Sequence, residues 1–184
     1  DQMLFYLPLA GSAFKKVYYD ELLGRAVSKF VPADDLVVPY TATSIEDADA
    51  VMHTVKMSEN DLRKKQVGGF YRDVELKPGY DQETEVEKRE RQLEGIKKTR
   101  DEDIFTIIEA HVYLDLEGFE DRDLQTGEPT GIKLPYIVTI EKNMRSILSI
   151  RRNYQPNDPL KRKVEYFVHF RFLPGMGFYG FGLI

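Results

Sequence analysis

The strongest constraint on this chain is the alternation of apolar and polar residues in four runs between positions 104 and 173. Side chains of a β-strand point alternately to its two faces, so each run predicts a strand with one face on a core and the other in water. In the first run the apolar residues that share one face are Ala110, Val112, Leu114 and Leu116. The residues of the opposite face are Glu109, His111, Tyr113, Asp115 and Glu117.

The other three runs extend this pattern into a sheet. Residues 136–141 and 147–152 are joined by four turn-tolerant residues, which predicts a hairpin. Strands this close in sequence pair most easily as antiparallel neighbours, so we predict an α+β fold with one curled, mostly antiparallel sheet of about four strands. The last run, 164–173, places Val164, Tyr166, Val168, Phe170 and Phe172 on one side.

Shorter elements are expected before position 80. Residues 3–9, 14–20 and 51–57 have the composition of strands, and two prolines restrict residues 30–40 to short or edge strands. A serine followed three residues later by an acid is a helix-capping spacing. It predicts a brief helix from Ser44 with Asp47, and a second helix from Ser58 with Asp61 that two glycines end at 68 and 69.

Residues 81–103 predict an exposed, charged helix. Three acid-before-base pairs four residues apart each stabilise such a helix by about 0.2–0.5 kcal/mol. Its apolar stripe is narrow, which is typical either of a solvated helix or of one whose seam contacts a neighbouring subunit. The pairs are Glu85 with Arg89, Glu87 with Arg91 and Glu94 with Lys98, and the apolar residues are Val86, Leu93 and Ile96.

Length and composition narrow the functional classes. The 184 residues, 42% apolar and 31% charged, suffice for one globular domain, and the net charge of -5 argues against tight DNA binding, which needs clustered cations. The absence of cysteine excludes disulfides, thiolate metal sites and cysteine catalysis. No signal peptide is recognisable, and no run approaches the ~20 apolar residues of a membrane span. The apolar ends, 4–14 and 178–184, predict a fragment of a longer chain.

Gly175, Gly177 and Gly180 match the G-x-G-x-x-G pattern of dinucleotide-binding loops. That fingerprint must open a helix within a βαβ unit and precede an acidic residue by about 20 positions. Neither condition is met, and aromatic residues surround the glycines. We therefore expect a tight turn after the last strand and no bound cofactor.

Six carboxylates between 115 and 128 suggest a metal-dependent enzyme as one alternative, because hard cations bind several carboxylate oxygens. A calcium loop that starts at Asp121 would need a glutamate at its twelfth position, where the chain has Ile132. We therefore expect a solvated acidic loop and no metal site. The six are Asp115, Glu117, Glu120, Asp121, Asp123 and Glu128.

Catalytic residues are not predicted. His53, His111 and His169 each lie in a strand-like run, and two of them could meet on one sheet face, but no ligand spacing such as H-E-x-x-H is present. Nothing matches G-x-S-x-G, and Ser12 after Gly11 predicts a turn. We therefore expect that the protein is not an enzyme.

A basic patch is expected late in the chain, and its cations could contact phosphates or face a subunit or solvent. Its residues are Arg145, Arg151, Arg152, Lys161, Arg162 and Lys163, with Tyr154 and Tyr166 nearby.

Five short stretches of the sequence point to a family more specifically than composition does. In these five phrases the chain resembles the portal protein, or head-to-tail connector, of tailed bacteriophages, of the type found in short-tailed phages and their prophages. The resemblance covers most of the chain and is weakest in 81–103. The phrases are 7–20 (LPLAGSAFKKVYYD), 30–47 (FVPADDLVVPYTATSIED), 57–73 (MSENDLRKKQVGGFYRD), 133–138 (KLPYIV) and 173–184 (LPGMGFYGFGLI).

The resemblance implies that the full protein forms a ring, usually of twelve subunits, at one capsid vertex. Double-stranded DNA would pass through it non-specifically in packaging and ejection, and the terminase, capsid or scaffold proteins and tail adaptors would dock on it. It implies a virion protein, present in the bacterial host cytoplasm during assembly, with no catalytic residue, cofactor or membrane contact. Residues 1–184 would be a single α+β fragment of the wing region, with or without material leading to the stem and clip.

Two alternatives to this hypothesis are a metal-dependent enzyme that uses the carboxylates at 115–128, and a docking module of another phage head-tail or structural protein. The docking module would use the aromatic residues Tyr136, Tyr154, Tyr179 and Phe181.

Overall fold

The computed structural model describes residues 2–20, 23–77, 89, 104–123 and 125–183. It is α+β, with two helices, two mostly antiparallel sheets and 41% strand, which confirms the predicted class. The charged helix predicted at 81–103 lies outside the described residues, apart from Arg89. Neither described helix is long and apolar enough to span a membrane.

The helices and strands follow in this order. They are α1 (Gln2–Ala10), β1 (Ser12–Asp20), β2 (Arg25–Pro32), a short 3-10 helix (Ala33–Asp35), β3 (Leu36–Val37), β4 (Ala50–Ser58), α2 (Glu59–Val67), β5 (Ile104–Leu114), β6 (Leu134–Glu141), β7 (Ser146–Arg152) and β8 (Phe167–Arg171). The chain divides into two compact units. The first is Asp1–Thr54, Glu109–Val138 and Ile150–Ile184, and the second is Val55–Ile108 and Thr139–Ser149.

The predicted single sheet is wrong, because the strands form one sheet of three and one of five. The three-stranded sheet has the order β2-β1-β8, and the five-stranded sheet has the order β3-β4-β5-β6-β7. The hairpin β6-β7 is confirmed, and Arg145 in its turn has a φ of 54°. The last of the four runs contains β8, which belongs to the three-stranded sheet and not to the sheet of the other three runs. It pairs antiparallel with β1, with His169 opposite Phe14.

The predicted faces of two strands also differ from the structure. On β8, Phe167 is buried and Val168 is 47% exposed. Apolar residues occupy both faces of that run, so alternation could not choose between them, and pairing with buried Phe14 decides the choice. On β5, His111 was expected in water but is buried, because it contacts a charged partner described below.

The predicted strand at 3–9 is the helix α1. Leucine, methionine and alanine favour helices, and Tyr6 packs edge-on against Phe30 on β2 at 5.4 Å between ring centroids. Gly11 ends the helix with a φ of 75° and donates its N–H to the Leu7 carbonyl at 2.9 Å. No residue of α1 is fully buried.

The brief helix expected from Ser44 and Asp47 is absent, and residues 41–49 form turns. The Asp47 carboxylate accepts hydrogen bonds from the N–H groups of Thr43 and Ser44, so it closes a local turn instead of capping a helix. The Asp47 carboxylate also accepts a hydrogen bond from the Thr43 hydroxyl at 2.6 Å. That bond is the largest cause, followed by the backbone bonds, of a pKa lowered to about 2 for Asp47. The turn places Ile45 and Ala48 in the core of the first unit.

Each unit has its own core. In the second unit, α2 buries Leu62 against Phe105, Ile107 and Leu148. The core of the first unit draws residues from both sheets and from the chain after β8. Its buried members are Phe14, Val31, Leu36, Ala42, Ile45, Ala48, Val51, Phe167 and Phe178.

The cap of α2 is confirmed. Ser58 is the N-cap, its hydroxyl accepts the Asp61 N–H at 3.2 Å, and Gly68 is the C-cap.

The cap yields a test of the second unit. We expect Ser58→Ala to lower the free energy of unfolding by about 1 kcal/mol, because the Asp61 N–H loses its acceptor. Ser28→Ala on exposed β2 is the matched control, with an expected change within about 0.5 kcal/mol. Urea unfolding followed by circular dichroism measures both, and equal effects of the two variants would contradict the role of the cap.

Candidate functional site

The glycine-rich segment after β8 forms a turn. Leu173 and Phe181 form an antiparallel bridge, with the Phe181 N–H 2.8 Å from the Leu173 carbonyl oxygen. Residues 174–183 contain no helix. A Cβ atom on Gly180 would lie 2.5 Å from the Gly11 carbonyl oxygen and 2.8 Å from that of Leu173. The glycine at 180 is therefore needed for close backbone packing.

Ser12 and His169 meet beside this turn. The fully buried Ser12 hydroxyl accepts the Gly180 N–H at 2.8 Å and lies 3.1 Å from His169 Nε2. The imidazole stacks on Phe14 and Phe178 at 4.4 and 4.7 Å between centroids. Burial lowers the pKa of His169 to about 4, so the ring is neutral at pH 7. Ser12 is fully buried, whereas His169 is half-buried, and the Ser12 hydroxyl joins the start of β1 to the turn.

The acidic residues predicted as a loop do not converge on one point. Asp123 accepts the N–H groups of Gln125 and Thr126, and Asp121 pairs with Lys161. Asp115, Glu117, Asp123 and Glu128 are exposed, and Glu120 and Asp121 are half-buried. In the part of the chain that the structure describes, no group of three or more histidines and acids could hold a metal ion.

The late basic residues are largely paired. Lys161 pairs with Asp121, Arg162 with Asp158 at 2.9 Å, and Lys163 with Glu165 at 2.9 Å. The Lys163 ammonium also donates to the carbonyls of Ile45 and Ala48 at 3.1 and 3.4 Å. Arg145, Arg151 and Arg152 are exposed on β7 and its turn. The cations at 161–163 therefore serve local structure.

The aromatic docking surface is smaller than predicted. Tyr136 was expected to be exposed but is buried, because its hydroxyl donates to the Phe119 carbonyl at 3.1 Å. Tyr154 is half-buried. Tyr179 and Phe181 are exposed by 43% and 61%, although the Tyr179 hydroxyl also donates to the Leu36 carbonyl.

Four ionisable side chains from three strands meet inside the first unit, and we call them the interstrand cluster: Lys16, His53, Glu109 and His111. The Lys16 ammonium forms an ion pair with Glu109 Oε1, and His111 Nε2 lies 2.8 Å from the same oxygen. Lys16 is on β1, His53 on β4, and the other two on β5. The ion pair therefore links the three-stranded sheet to the five-stranded sheet.

Aromatic rings enclose the interstrand cluster. The Phe167 centroid lies 5.5 Å from that of His53 and 5.2 Å from that of His111. The Lys16 ammonium lies 5.6 Å from the centroids of Tyr18 and Phe167. A buried charge is tolerated only when it is paired, so the loss of either Lys16 or Glu109 would leave the other uncompensated.

The electrostatics of the interstrand cluster keep one histidine neutral. Burial, with Lys16 as the second cause, lowers the pKa of His53 to about 4. Burial would raise the pKa of Glu109, but the hydrogen bond with His111 and the charge of Lys16 outweigh it and hold that pKa well below its usual range. At pH 7 the cluster therefore contains a charged Glu109 and a neutral His53.

No spacing in the sequence signals this cluster. Lys16 and Glu109 are 93 positions apart, and only the register of the strands brings them together. Two histidines were predicted to come together on a sheet face, and His53 and His111 both contact the Phe167 ring. His169 instead contacts Ser12.

A cleft of about 600 Å³ lies elsewhere in the first unit. Its walls include Tyr113, Leu134, Pro135 and Leu160, and its charged side chains include the paired Lys161 and Lys163. Its volume falls in the range of small-molecule sites, but the geometry indicates no particular ligand.

Comparison of the chain with protein-family models gives no match, and comparison with curated proteins gives none either.

The glycine turn yields a matched pair of variants. We expect Gly180→Ala to lower the free energy of unfolding by about 1–3 kcal/mol, because the added methyl group meets two backbone carbonyls. Gly177→Ala adds the same group in open space and should change it by less than about 0.5 kcal/mol. Urea denaturation measures both, and a Gly180→Ala chain as stable as Gly177→Ala would contradict the packing described.

Proposed function

We propose that this chain is part of a portal protein of a tailed bacteriophage, a structural subunit of the ring through which DNA enters and leaves the capsid. The observation that carries the proposal is the set of five phrases, spread along the chain, that resemble portal proteins of short-tailed phages. The subunit would carry out no reaction, and its partners would be other copies of itself, the terminase, capsid or scaffold proteins and tail adaptors.

The positions of the phrases support this proposal. Phe14 in the first phrase, Leu36 in the second and Phe178 in the closing phrase lie in one core. Hydrogen bonds also join these phrases, since the Gly180 N–H donates to the Ser12 hydroxyl and the Tyr179 hydroxyl donates to the Leu36 carbonyl. The resemblance therefore concerns residues that pack together, which is a stronger basis than isolated surface matches.

The charges are compatible with a DNA conduit. A channel that bound phosphate strongly would retain the genome, whereas a net acidic subunit lets DNA slide. The net charge is -5, and the three cations at 161–163 are held by Asp121, Asp158 and Glu165.

A docking module of another phage structural protein is the second candidate. The exposure of Phe181 favours it, because large aromatic side chains often anchor a partner protein, and Phe181 is 61% exposed close to Tyr179 in the chain.

Ring assembly tests the first candidate directly. We expect the complete protein that contains this chain to form rings, usually of twelve subunits, in negative-stain electron microscopy. Mass photometry of the same sample should give a matching multiple of the subunit mass. A complete protein that stays monomeric at micromolar concentration would contradict the portal proposal and leave the docking module.

DNA affinity provides a second test. We expect the chain to bind a 20-base-pair duplex no more tightly than non-specific proteins do, with a dissociation constant above about 1 µM at physiological salt. Asp121→Asn frees Lys161 and should tighten binding more than Asp123→Asn, which removes the same charge from a carboxylate that accepts the N–H groups of Gln125 and Thr126. Fluorescence anisotropy measures all three proteins. Submicromolar binding by the unmodified chain would contradict a conduit that lets DNA slide.

A further inference from the structure

We propose that the interstrand cluster is an acid-sensitive latch, in which a proton on His53 breaks the contact between β1 and β5 and opens the first unit. The inference stands apart from the proposed function, because it rests only on the contacts of Lys16, His53, Glu109 and His111.

The latch is closed by a single carboxylate. Glu109 Oε1 accepts from both the Lys16 ammonium and His111 Nε2, so one oxygen atom carries both bonds described across the cluster. Lys16 is the only member on β1. Separation of Lys16 from Glu109 therefore removes the ionic contact that ties β1 to β5.

His53 is the trigger because no acceptor is available for a proton on it. The charged and titratable groups that face it are Lys16 on β1, Lys29 on β2, and Glu109 and His111 on β5, while β8 contributes the Phe167 ring. Glu109 is already engaged, and within the described part of the chain the buried His53 Nδ1 has no hydrogen-bond partner. A protonated His53 would stand beside two lysines with no free counter-charge.

The direction of the pH effect follows from this arrangement. The closed state holds the pKa of His53 at about 4, below its ordinary 6.5, so an open, solvated His53 binds a proton that the closed state excludes. The contribution of His53 to the stability of the closed state is therefore lost as the pH drops from 6.5 to 4, and it changes no further below that. Glu109 adds its own loss only below its ordinary pKa of 4.5. Between pH 6.5 and 4.5 the loss of stability of the closed state is therefore assigned to His53 and not to Glu109.

The opening is local. His53, His111 and His169 are the three histidines of the chain, and all lie in the ranges of the first unit. The second unit has none, so a change driven by histidine protonation is confined to the first unit. His169 should stay in place, because opening separates β1 from β5 while the pairing of β1 with β8 and the Phe14 stack remain.

Nuclear magnetic resonance of the 184-residue chain tests this inference. Amide spectra recorded from pH 7.5 to 4.5 should show β1 and β5 signals shifting or broadening with a midpoint between pH 6.5 and 4.5, while α2 signals stay unchanged. No change down to pH 4.5, or loss of α2 and β1 signals at one pH, would overturn the latch.

A pair of matched variants tests whether His53 is the histidine whose protonation opens the first unit. His53→Phe keeps a ring against Phe167 and should lower the midpoint by at least about half a pH unit, whereas His169→Phe should leave it in place. Equal shifts in the two variants would indicate general acid unfolding and overturn the proposal.

Lys29→Met provides an independent route, because exposed Lys29 can be replaced without disturbing a core. It removes one cation that faces His53 and should lower the midpoint by a few tenths of a pH unit. Lys15→Met on the opposite face of β1 is its control and should not move it. A Lys29→Met midpoint equal to that of Lys15→Met would also count against the latch.

Discussion

The packing of Phe14 is the interaction on which the first unit depends. This fully buried ring stacks on His169 of β8 and on Phe178 beyond it, at 4.4 and 5.9 Å between centroids. Residues two apart on a strand share a face, so the burial of Phe14 also directs Ser12 and Lys16 inward. Because the face of β1 that carries Phe14 is buried, Ser12 can accept the Gly180 N–H and Lys16 can form an ion pair with Glu109.

Buried polar groups are the second constraint, because nearly all of them find a partner as the chain folds. Asn153 meets this constraint with every group except its side-chain Oδ1, which has no hydrogen-bond partner among the described residues. Its N–H donates to the Pro135 carbonyl, its side-chain amide donates to the Val164 carbonyl at 3.2 Å, and its own carbonyl accepts the Val164 N–H. These bonds close residues 154–163 into a loop and set the positions from which Lys161 and Lys163 pair with acids. Half of the predicted basic patch, Lys161, Arg162 and Lys163, therefore lies in a loop held in place by the hydrogen bonds of Asn153.

Local patterns in the sequence predicted local structure well. The cap at Ser58, the strand β4, the hairpin β6-β7 and the α+β class follow from spacing over a few residues, and the structure has all of them. The same reasoning failed at α1, where an apolar run without charges fits a helix or a strand equally. It failed again at Ser44, because an aspartate three residues after a serine can also close a turn.

Long-range features could not be predicted from the same patterns. Alternation cannot tell which of two apolar faces of β8 is buried, nor that its partner is β1 and not the preceding hairpin. The interstrand cluster and the pairing of Ser12 with His169 depend on these registers. The turn at the glycines was anticipated from context, but the close approach of Gly180 to Gly11 was not.

The pairing of Ser12 with Arg171 also has a consequence for synthesis of the chain. A polypeptide emerges from the ribosome in order, so β1 and β2 can pair long before β8 exists. Until then the inner edge of β1 has no neighbour and Phe14 has no stacking partner. A nascent chain is therefore exposed to aggregation through that edge until β8 has been synthesised, and contacts this distant in sequence also slow folding.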